Sequence, residues 1–367
     1  MRILAIDMGT GTQDILLFDS SGPVENSIKL VMPSATSIAA GRIRRATATQ
    51  RPVLLTGVIQ GGGPCHWALE GHLKAGCAAF ATAEAARTFD DDLGRVTAMG
   101  VRIVDDGEVA LDGAERIELR DLDLGAIRSA LAAFDVSGEF DGLALGCLDH
   151  GNAPPDYSDR LFRFDHLRRV VEQKNDLLAF AYLPEELPDY LTRARTMVAA
   201  AHGEAPTVFL DTGAAAALGA LQDPRVAAAD EQLVLNLGNM HALAFHLRGA
   251  HIHSLYEHHT GEMTTEQIED FTERLVAGSL AHDEVFGSKG HGVYYADRAP
   301  AGSQPFLAVT GPQRGRLRGS RLDPYFATPH GDMMISGCFG LVRAFAARYP
   351  QHREEIGRAL DIEPSAA

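Results

Sequence analysis

A chain of 367 residues, 46% hydrophobic and 22% charged, is long enough for two folded domains and has no apolar run near the ~18 residues that span a bilayer. Its net charge of −16 argues against a nucleic acid or an anionic membrane as partner, because their phosphates would be repelled. The four cysteines form no C-x-x-C pair, which argues against a disulfide framework and against a cysteine-held iron–sulfur cluster.

The N-terminus begins with a strand–turn–strand pattern, Arg2–Asp19, and lacks the basic and apolar regions of a signal peptide, so we expect a cytoplasmic protein. The turn region holds Asp7, Gly9, Thr10, Gly11 and Thr12. Glycines let backbone N–H groups approach an anion, and threonines add hydroxyl donors. Asp7, at the end of the strand, is placed to hold a hydrated Mg²⁺. The turn therefore predicts a phosphate site; an ordinary glycine hairpin is the alternative.

The strand Arg51–Gly57 runs into a glycine turn and then into a predicted helix, Cys65–Ala75. This is the arrangement of an anion or substrate loop, because free backbone N–H groups point outward at a helix N-terminus. The alternative is a flexible turn that lets the helix pack closely on the sheet. Under the first interpretation, the candidate substrate residues are Gly62, Gly63 and His66.

Two helices are predicted before the next apolar strand. Thr82–Arg95 has Thr82 as an N-cap candidate and contains a run of three aspartates that we interpret as a solvated acidic end. Leu124–Phe134 is amphipathic.

The apolar strand Phe140–Leu148 ends in Asp149 and His150. Because ligands of α/β sheets lie at the carboxyl ends of strands, Asp149 is the first candidate for a general base and His150 is the second. Turn chemistry is the alternative. The polar, proline-containing segment Ala153–Asp165 predicts an active-site loop, in which Arg163 either binds a carboxylate or pairs on the surface.

Thr207–Leu210 predicts a strand, and the alanine run Ala214–Leu221 that follows it predicts a close-packed helix. Asp211 lies between them and is expected to face the cleft as a third candidate base. The composition of Gln222–Glu231 predicts a domain boundary there.

A second strand–turn–strand pattern, Leu233–Phe245, repeats the first one, with Asn236 in the place of Asp7. The other matching turn positions are Gly238, Asn239 and His241. An internal repeat of this kind predicts two similar domains, each opening with a hairpin.

The chain after the second hairpin is rich in histidine. His251 and His253 alternate onto one strand face, and a compact polar cluster follows at Glu257, His258 and His259. One interpretation is a transition-metal site, and the other is polar surface and cleft lining. The cluster residues are also candidates for substrate binding.

Pro305–Arg314 reads as a strand ending in a Thr-Gly-Pro turn at Gly311, and Gly331–Ala346 reads as a small-residue helix. The tail, Arg353–Ala367, is expected to be a peripheral helix followed by disorder.

The two hairpins and the later Thr-Gly-Pro turn, in this order, resemble the ASKHA superfamily of actin, sugar kinases and heat-shock 70 ATPases. The resemblance implies an α/β fold with two ribonuclease-H-like domains around a central cleft, at residues 1–228 and 229–350, with a peripheral tail at 351–367. It also implies ATP in the cleft, with Mg²⁺ on Asp7 and adenosine against Gly311. The implied cofactor-binding residues are Gly9, Thr10, Gly11, Thr12, Asn236, Gly238, Asn239, His241 and Gly311. Active members usually carry an acidic residue where Asn236 stands.

The whole-chain pattern is also similar to the domain of unknown function 1786 family. The stretches that carry this likeness are Gly61–Cys65, Asn236–His241, Glu257–Gly261 and Pro329–Asp332. That family has carried the label of a pyruvate formate-lyase activating enzyme, but the cysteine triplet of a radical-SAM cluster is absent from this sequence.

These patterns together predict an ATP-dependent phosphotransferase, or kinase, acting on a small molecule, with Asp149 as base and His150 or Asp211 as alternatives. A different hypothesis is an ATP-binding switch that acts on a protein partner without phosphoryl transfer, which Asn236 favours. A third is a metal-dependent enzyme that has lost the use of ATP.

Overall fold

A computed structural model describes residues 1–105, 113–297 and 302–360. Its strands are β1 (Arg2–Met8), β2 (Thr12–Asp19), β3 (Ile28–Pro33), β4 (Val53–Gly57), β5 (Ala79–Thr82), β6 (Val101–Val104), β7 (Glu115–Leu119), β8 (Gly142–Cys147), β9 (Ala181–Tyr182), β10 (Thr207–Asp211), β11 (Gln232–Leu237), β12 (His241–Arg248), β13 (His251–His259), β14 (Gly292–Tyr295), β15 (Phe306–Thr310) and β16 (Tyr325–Phe326).

The helices are α1 (Ala35–Ala48), α2 (Pro64–Lys74), α3 (Ala83–Ala86), α4 (Leu93–Ala98), α5 (Leu124–Ala132), α6 (Asp159–Gln173), α7 (Thr192–Ala199), α8 (Thr212–Ala220), α9 (Pro224–Ala227), α10 (Thr265–Val276), α11 (His282–Gly287), α12 (Ser336–Arg348) and α13 (Arg353–Ala359). In the part of the chain that the structure describes, no helix combines the length and apolar character needed to cross a membrane.

The first sheet has the strand order β3-β2-β1-β8-β10-β9. β1 pairs antiparallel with β2 and parallel with β8, and β8 pairs parallel with β10. Alternate residues of β1 enter different cores, since Ile3 packs on one face of the sheet and Leu4 on the other. A strand buried on both faces explains why its sequence is almost continuously apolar.

The second sheet has the order β14-β13-β12-β11-β15-β16. β11 pairs antiparallel with β12 and parallel with β15, which in turn pairs parallel with β16. Its five strands β13-β12-β11-β15-β16 thus repeat the order and directions of β3-β2-β1-β8-β10. The sequence repeat is therefore also a repeat of sheet topology.

A third, four-stranded parallel sheet lies between β3 and β8 in the chain, with the order β6-β5-β4-β7. It has a hydrophobic core of its own that includes residues of α1 and α2. The sequence analysis did not predict α1, which Ser34 caps by accepting a hydrogen bond from the Ser37 N–H.

Helices α8 and α12 lie between the two six-stranded sheets, and one hydrophobic core contains residues from both helices and both sheets. Their crossing is close because it is made of small residues. A Cβ added at Gly219 would overlap the Ser336 carbonyl, and one added at Gly340 would overlap the Ala215 carbonyl. The alanine run therefore encodes the contact that joins the two halves.

Two predicted segments differ from the structure. The helix predicted over Thr82–Arg95 is broken into α3 and α4, because the Asp92 side chain accepts a hydrogen bond from the Gly94 N–H and starts a new helix. The predicted loop Ala153–Asp165 ends early, since α6 begins at Asp159. The predicted disorder of residues 361–367 lies outside the described residues.

Candidate functional site

The two glycine turns have the same backbone geometry. The Gly9 N–H donates to the Thr12 carbonyl at 3.0 Å, and the Gly238 N–H donates to the His241 carbonyl at 2.9 Å. The turns also touch, because a Cβ at Gly11 would overlap the Asn239 side-chain amide. The repeat predicts two turns that face one crevice, and this is what the fold produces.

A cavity of about 90 Å³, which we call the turn cavity, lies where the two turns meet. Its lining includes Asp7, Gly9, Thr10, Thr12, Asn236, Gly238, Asn239 and Gly311. Gly311 has a φ of +93°, and a Cβ there would come within 2.5 Å of Asn236 Oδ1, so only glycine allows the third turn to approach the second so closely.

Two carboxylates face each other in the turn cavity. Asp7 pairs with Asp14 across the first hairpin, and both side chains line the cavity. The Thr212 hydroxyl donates to Asp7 at 2.6 Å. Burial raises the pKa of Asp7 to about 6, and burial together with the charge of Asp7 raises the pKa of Asp14 to about 8. One Asp14 oxygen is buried and has no hydrogen-bond partner among the described residues.

A larger cavity of about 500 Å³, which we call the large cavity, adjoins the turn cavity. Gly9 and Thr10 line both. The predicted substrate residues Gly62 and Gly63 line the large cavity, together with residues 149–155 and the aspartates at 90–92. The glycine turn before α2 and the strand end after β8 therefore converge, although they belong to different sheets.

Asp149 is buried at the end of β8, and both of its oxygens accept hydrogen bonds from the backbone. The Gly151 N–H donates at 2.8 Å, and the Ala194 N–H donates at 2.9 Å. Burial raises its pKa from the ordinary value. In this conformation the carboxylate holds the strand end against α7, and each oxygen keeps a second acceptor position.

Asp211 is bound by Arg163, a fully buried arginine of α6. Arg163 donates to Asp211 at 2.5 Å and to Glu257 of β13 at 3.1 Å, which makes a buried triad of one cation and two anions. The sequence analysis expected Arg163 to bind a carboxylate or to pair on the surface. The structure shows it buried and bound to two carboxylates of the chain itself. The triad ties α6 and the end of β10 to the second sheet.

His150, His241, His259 and His291 form a compact group, which we call the histidine cluster. Ring centroids are 4.7 Å apart for His259 and His291 and 4.9 Å apart for His241 and His259. Burial lowers the pKa of His150 to about 3 and lowers the pKa values of the other three rings. At neutral pH the four imidazoles are therefore uncharged.

The remaining predicted site residues have other partners. His66 lies 3.5 Å from Glu70, one turn further along α2. His258 Nε2 lies 3.1 Å from the Ser288 hydroxyl. His251 and His253 both contact Asp297 at the far end of β13 from His259.

In a comparison with protein families, the model of domain of unknown function 1786, described as "Putative pyruvate format-lyase activating enzyme", matches residues 60–316. The chain belongs to this family. No curated protein matches the chain.

The family match covers the glycine turn before α2, the large cavity's strand end and the whole histidine cluster. The cysteines of this chain do not suit the cysteine-held cluster expected of an activating enzyme of that description. All four cysteines are free and buried, and among the described residues the groups that could hold a metal contain histidine and aspartate only.

Sequence reasoning missed Asp14 and His291. Asp14 could have been predicted, because the hairpin register that places Gly9 opposite Thr12 also places Asp7 opposite Asp14. His291 had no such signal, because it lies in a connection before β14 that only the tertiary fold brings to the other histidines.

Proposed function

We propose that this family member binds a nucleoside triphosphate and Mg²⁺ between its two glycine turns and transfers a phosphoryl group to a small molecule in the large cavity. The observation that carries the proposal is the position of Gly9 and Thr10, which line both cavities. A group held at the first turn is thereby within reach of a ligand in the large cavity. Phosphoryl transfer depends mainly on such positioning and on charge stabilisation.

The donor set suits a hydrated cation and a polyphosphate. Asp7 would hold Mg²⁺, with Asp14 opposite to share the charge. Thr10 and Thr12 offer hydroxyls, Gly9 and Gly238 offer close backbone approach, and Asn239 offers an amide. Gly311 would lie against the nucleoside. When bound, the nucleotide would supply the phosphoryl group.

The turn cavity is too small to hold a nucleotide in this conformation. About 90 Å³ is well below the ~300 Å³ of a small ligand pocket. The contact of Gly11 with Asn239 closes the space. Nucleotide binding would therefore require the two turns to separate, as in enzymes whose domains close around their substrates.

Two carboxylates of the large cavity are candidates for the base that receives the substrate proton. Asp149 lies at the strand end, where each of its oxygens already accepts one backbone hydrogen bond. Asp91 lines the same cavity, and burial raises its pKa to about 6, close to the operating pH of a general base. If transfer occurs, Asp149→Asn and Asp91→Asn distinguish the two roles by which of them abolishes turnover.

Thermal-shift measurements with ATP and Mg²⁺ test the binding step. The melting temperature of the wild type should rise with ATP concentration, because a ligand that binds only the folded state stabilises it. Thr10→Val should reduce the rise. Thr97→Val is the matched control, because Thr97 is exposed on α4 and its hydroxyl donates only to its own helix. No shift at millimolar ATP and Mg²⁺ would overturn the proposal.

A second candidate is an ATP-binding switch that acts on a protein partner without transferring phosphate. Asn236 favours it, because the second turn brings no charge to a metal. ATP stabilisation without turnover over a metabolite library, and with both aspartate variants indistinguishable from the wild type, would support the switch.

A further inference from the structure

The histidine cluster is assembled from four separate segments. His150 follows β8 of the first sheet, His241 begins β12, His259 ends β13 and His291 precedes β14. One ring nitrogen of each lies within 4.8 Å of the corresponding nitrogens of the others. Four imidazoles converge here although no two of them are neighbours in sequence.

The spacing matches that of ligands around one metal ion. His150 Nε2 and His291 Nε2 are 3.3 Å apart. Two nitrogens bound at ~2.0–2.1 Å to a tetrahedral zinc ion would be about 3.3–3.4 Å apart. This pair therefore already has the separation of two ligands of one ion, and the other ligand nitrogens lie within 4.8 Å.

His241 Nε2 is buried without a hydrogen-bond partner among the described residues. Buried polar atoms are normally paired, so this unpaired nitrogen indicates a ligand. His291 Nδ1 is unpaired as well, but it is not the ring nitrogen that faces His150. His259 Nδ1 lies 3.0 Å from the Lys289 carbonyl, and donating to it would leave Nε2 free. Metal-bound histidines are commonly oriented by such a hydrogen bond from the other ring nitrogen.

The buried triad of Arg163, Asp211 and Glu257 adjoins the cluster. Glu257 is two residues from His259 on β13, and its carbonyl accepts the His291 N–H at 2.9 Å. This hydrogen bond holds the backbone of His291 next to β13.

We propose that His150, His241, His259 and His291 bind one divalent first-row transition metal, with Zn²⁺, Co²⁺ and Ni²⁺ as the class. Imidazole is a preferred ligand of these ions, whereas Mg²⁺ takes oxygen. His150 and His241 also line the large cavity. An oxygen atom on that side, from water or from a bound small molecule, would be a fifth ligand of the ion. The proposal does not depend on nucleotide binding.

A second group, His251, His253 and Asp297, is a weaker candidate. Both rings already contact Asp297, and His251 and Asp297 are each 44% exposed. This group can bind added metal weakly, so the experiment must separate it from the histidine cluster.

The test uses the full-length chain without a histidine tag, stripped of metal by a chelator. Calorimetric titration with Zn²⁺ should give one tight equivalent, and Co²⁺ should give visible d–d absorption bands from nitrogen coordination. His259→Gln and His150→Gln should each weaken Zn²⁺ binding by more than about 100-fold, beyond the effect of losing a hydrogen bond to a ligand. His251→Gln should leave both signals unchanged, and so should His202→Gln, which replaces an exposed histidine outside both groups.

Circular dichroism of the metal-free variants checks that they fold, and His259 is only partly buried, so its replacement leaves the core intact. No tight Zn²⁺ equivalent in the wild type would overturn the proposal. So would a signal that His251→Gln removes and His259→Gln retains. No nucleotide is present in these assays, so their failure leaves the nucleotide proposal untouched, and the reverse also holds.

Discussion

The two hairpins share a backbone and differ in charge. Asp7 and Asp14 face each other in the first hairpin, and Asn236 and Leu243 occupy the same register in the second. At the fourth turn position the first hairpin has Thr12 and the second has His241, which belongs to the histidine cluster. The duplicated fold has thus placed two carboxylates in one half and an imidazole in the other. Topology alone does not assign the chemistry of either half.

The largest expected effect on stability comes from removing the cation of the buried triad, which links the first six-stranded sheet to the second. Arg163→Ala would leave Asp211 and Glu257 buried without their cation. We expect a loss of about 3–5 kcal/mol in the free energy of unfolding, the usual result of removing one partner of a buried pair. Chemical denaturation measures it.

Arg168→Ala is the matched control on the same helix. Its side chain is 50% exposed, and its pairing with Asp165 is a surface ion pair. Such a pair contributes up to about 1 kcal/mol to the free energy of unfolding, so we expect Arg168→Ala to lose no more than that. Equal losses for the two variants would show that the triad does not hold the halves together.

A smaller loss of stability is expected from adding a methyl group where α8 and α12 cross. Gly340→Ala would push a methyl group into the Ala215 carbonyl, and we expect a destabilisation of about 3 kcal/mol. Gly71→Ala, in α2 with open space around it, should instead stabilise by about 0.5–1 kcal/mol. Differential scanning calorimetry of the pair shows whether the opposite signs occur. A neutral Gly340→Ala would mean that the halves can move apart freely.

The carboxylate pair of the first hairpin predicts a pH dependence that the second hairpin lacks. The folded-state pKa of Asp14, about 8, lies above its ordinary value of 3.8, so the folded protein retains a proton that the unfolded chain releases. Its contribution to stability is therefore complete below about pH 4 and is lost as pH rises towards 8. Asp14→Asn should remove this loss, and it should raise stability at pH 8 relative to the wild type by about 1–2 kcal/mol.

Melting curves recorded from pH 5 to 8, without divalent cations, measure this loss of stability with rising pH. Leu243→Asn changes the matching position of the second hairpin, where no carboxylate titrates. It should lower stability by a similar amount at every pH, because the cost is that of burying an amide. Parallel curves for the wild type and Asp14→Asn would contradict the prediction.

The comparison also shows what sequence can and cannot supply. Both hairpins, the order of their strands and the facing of their turns follow from local patterns, because glycine turns between apolar runs encode hairpins and a repeat encodes equivalent positions. The histidine cluster does not follow, since His150 and His291 meet only through the packing of two sheets. For a similar reason the sequence could not name the carboxylates that bind Arg163, since they lie on β10 and β13, and nothing near Arg163 in sequence marks it as buried.

The smallest expected effect comes from giving the second hairpin the charge of the first. Asn236→Asp would place a third carboxylate in the turn cavity. If Asp7 holds a hydrated Mg²⁺ between the turns, the added charge should strengthen ATP binding in the presence of Mg²⁺ by up to about 1 kcal/mol, a factor of about five. In the absence of Mg²⁺ the same charge should weaken ATP binding, because it repels the phosphates. Titration with a fluorescent ATP analogue under both conditions measures the two effects. Weaker binding under both conditions would mean that no cation bridges the second turn, and the chemistry of the cleft would then rest on the first hairpin alone.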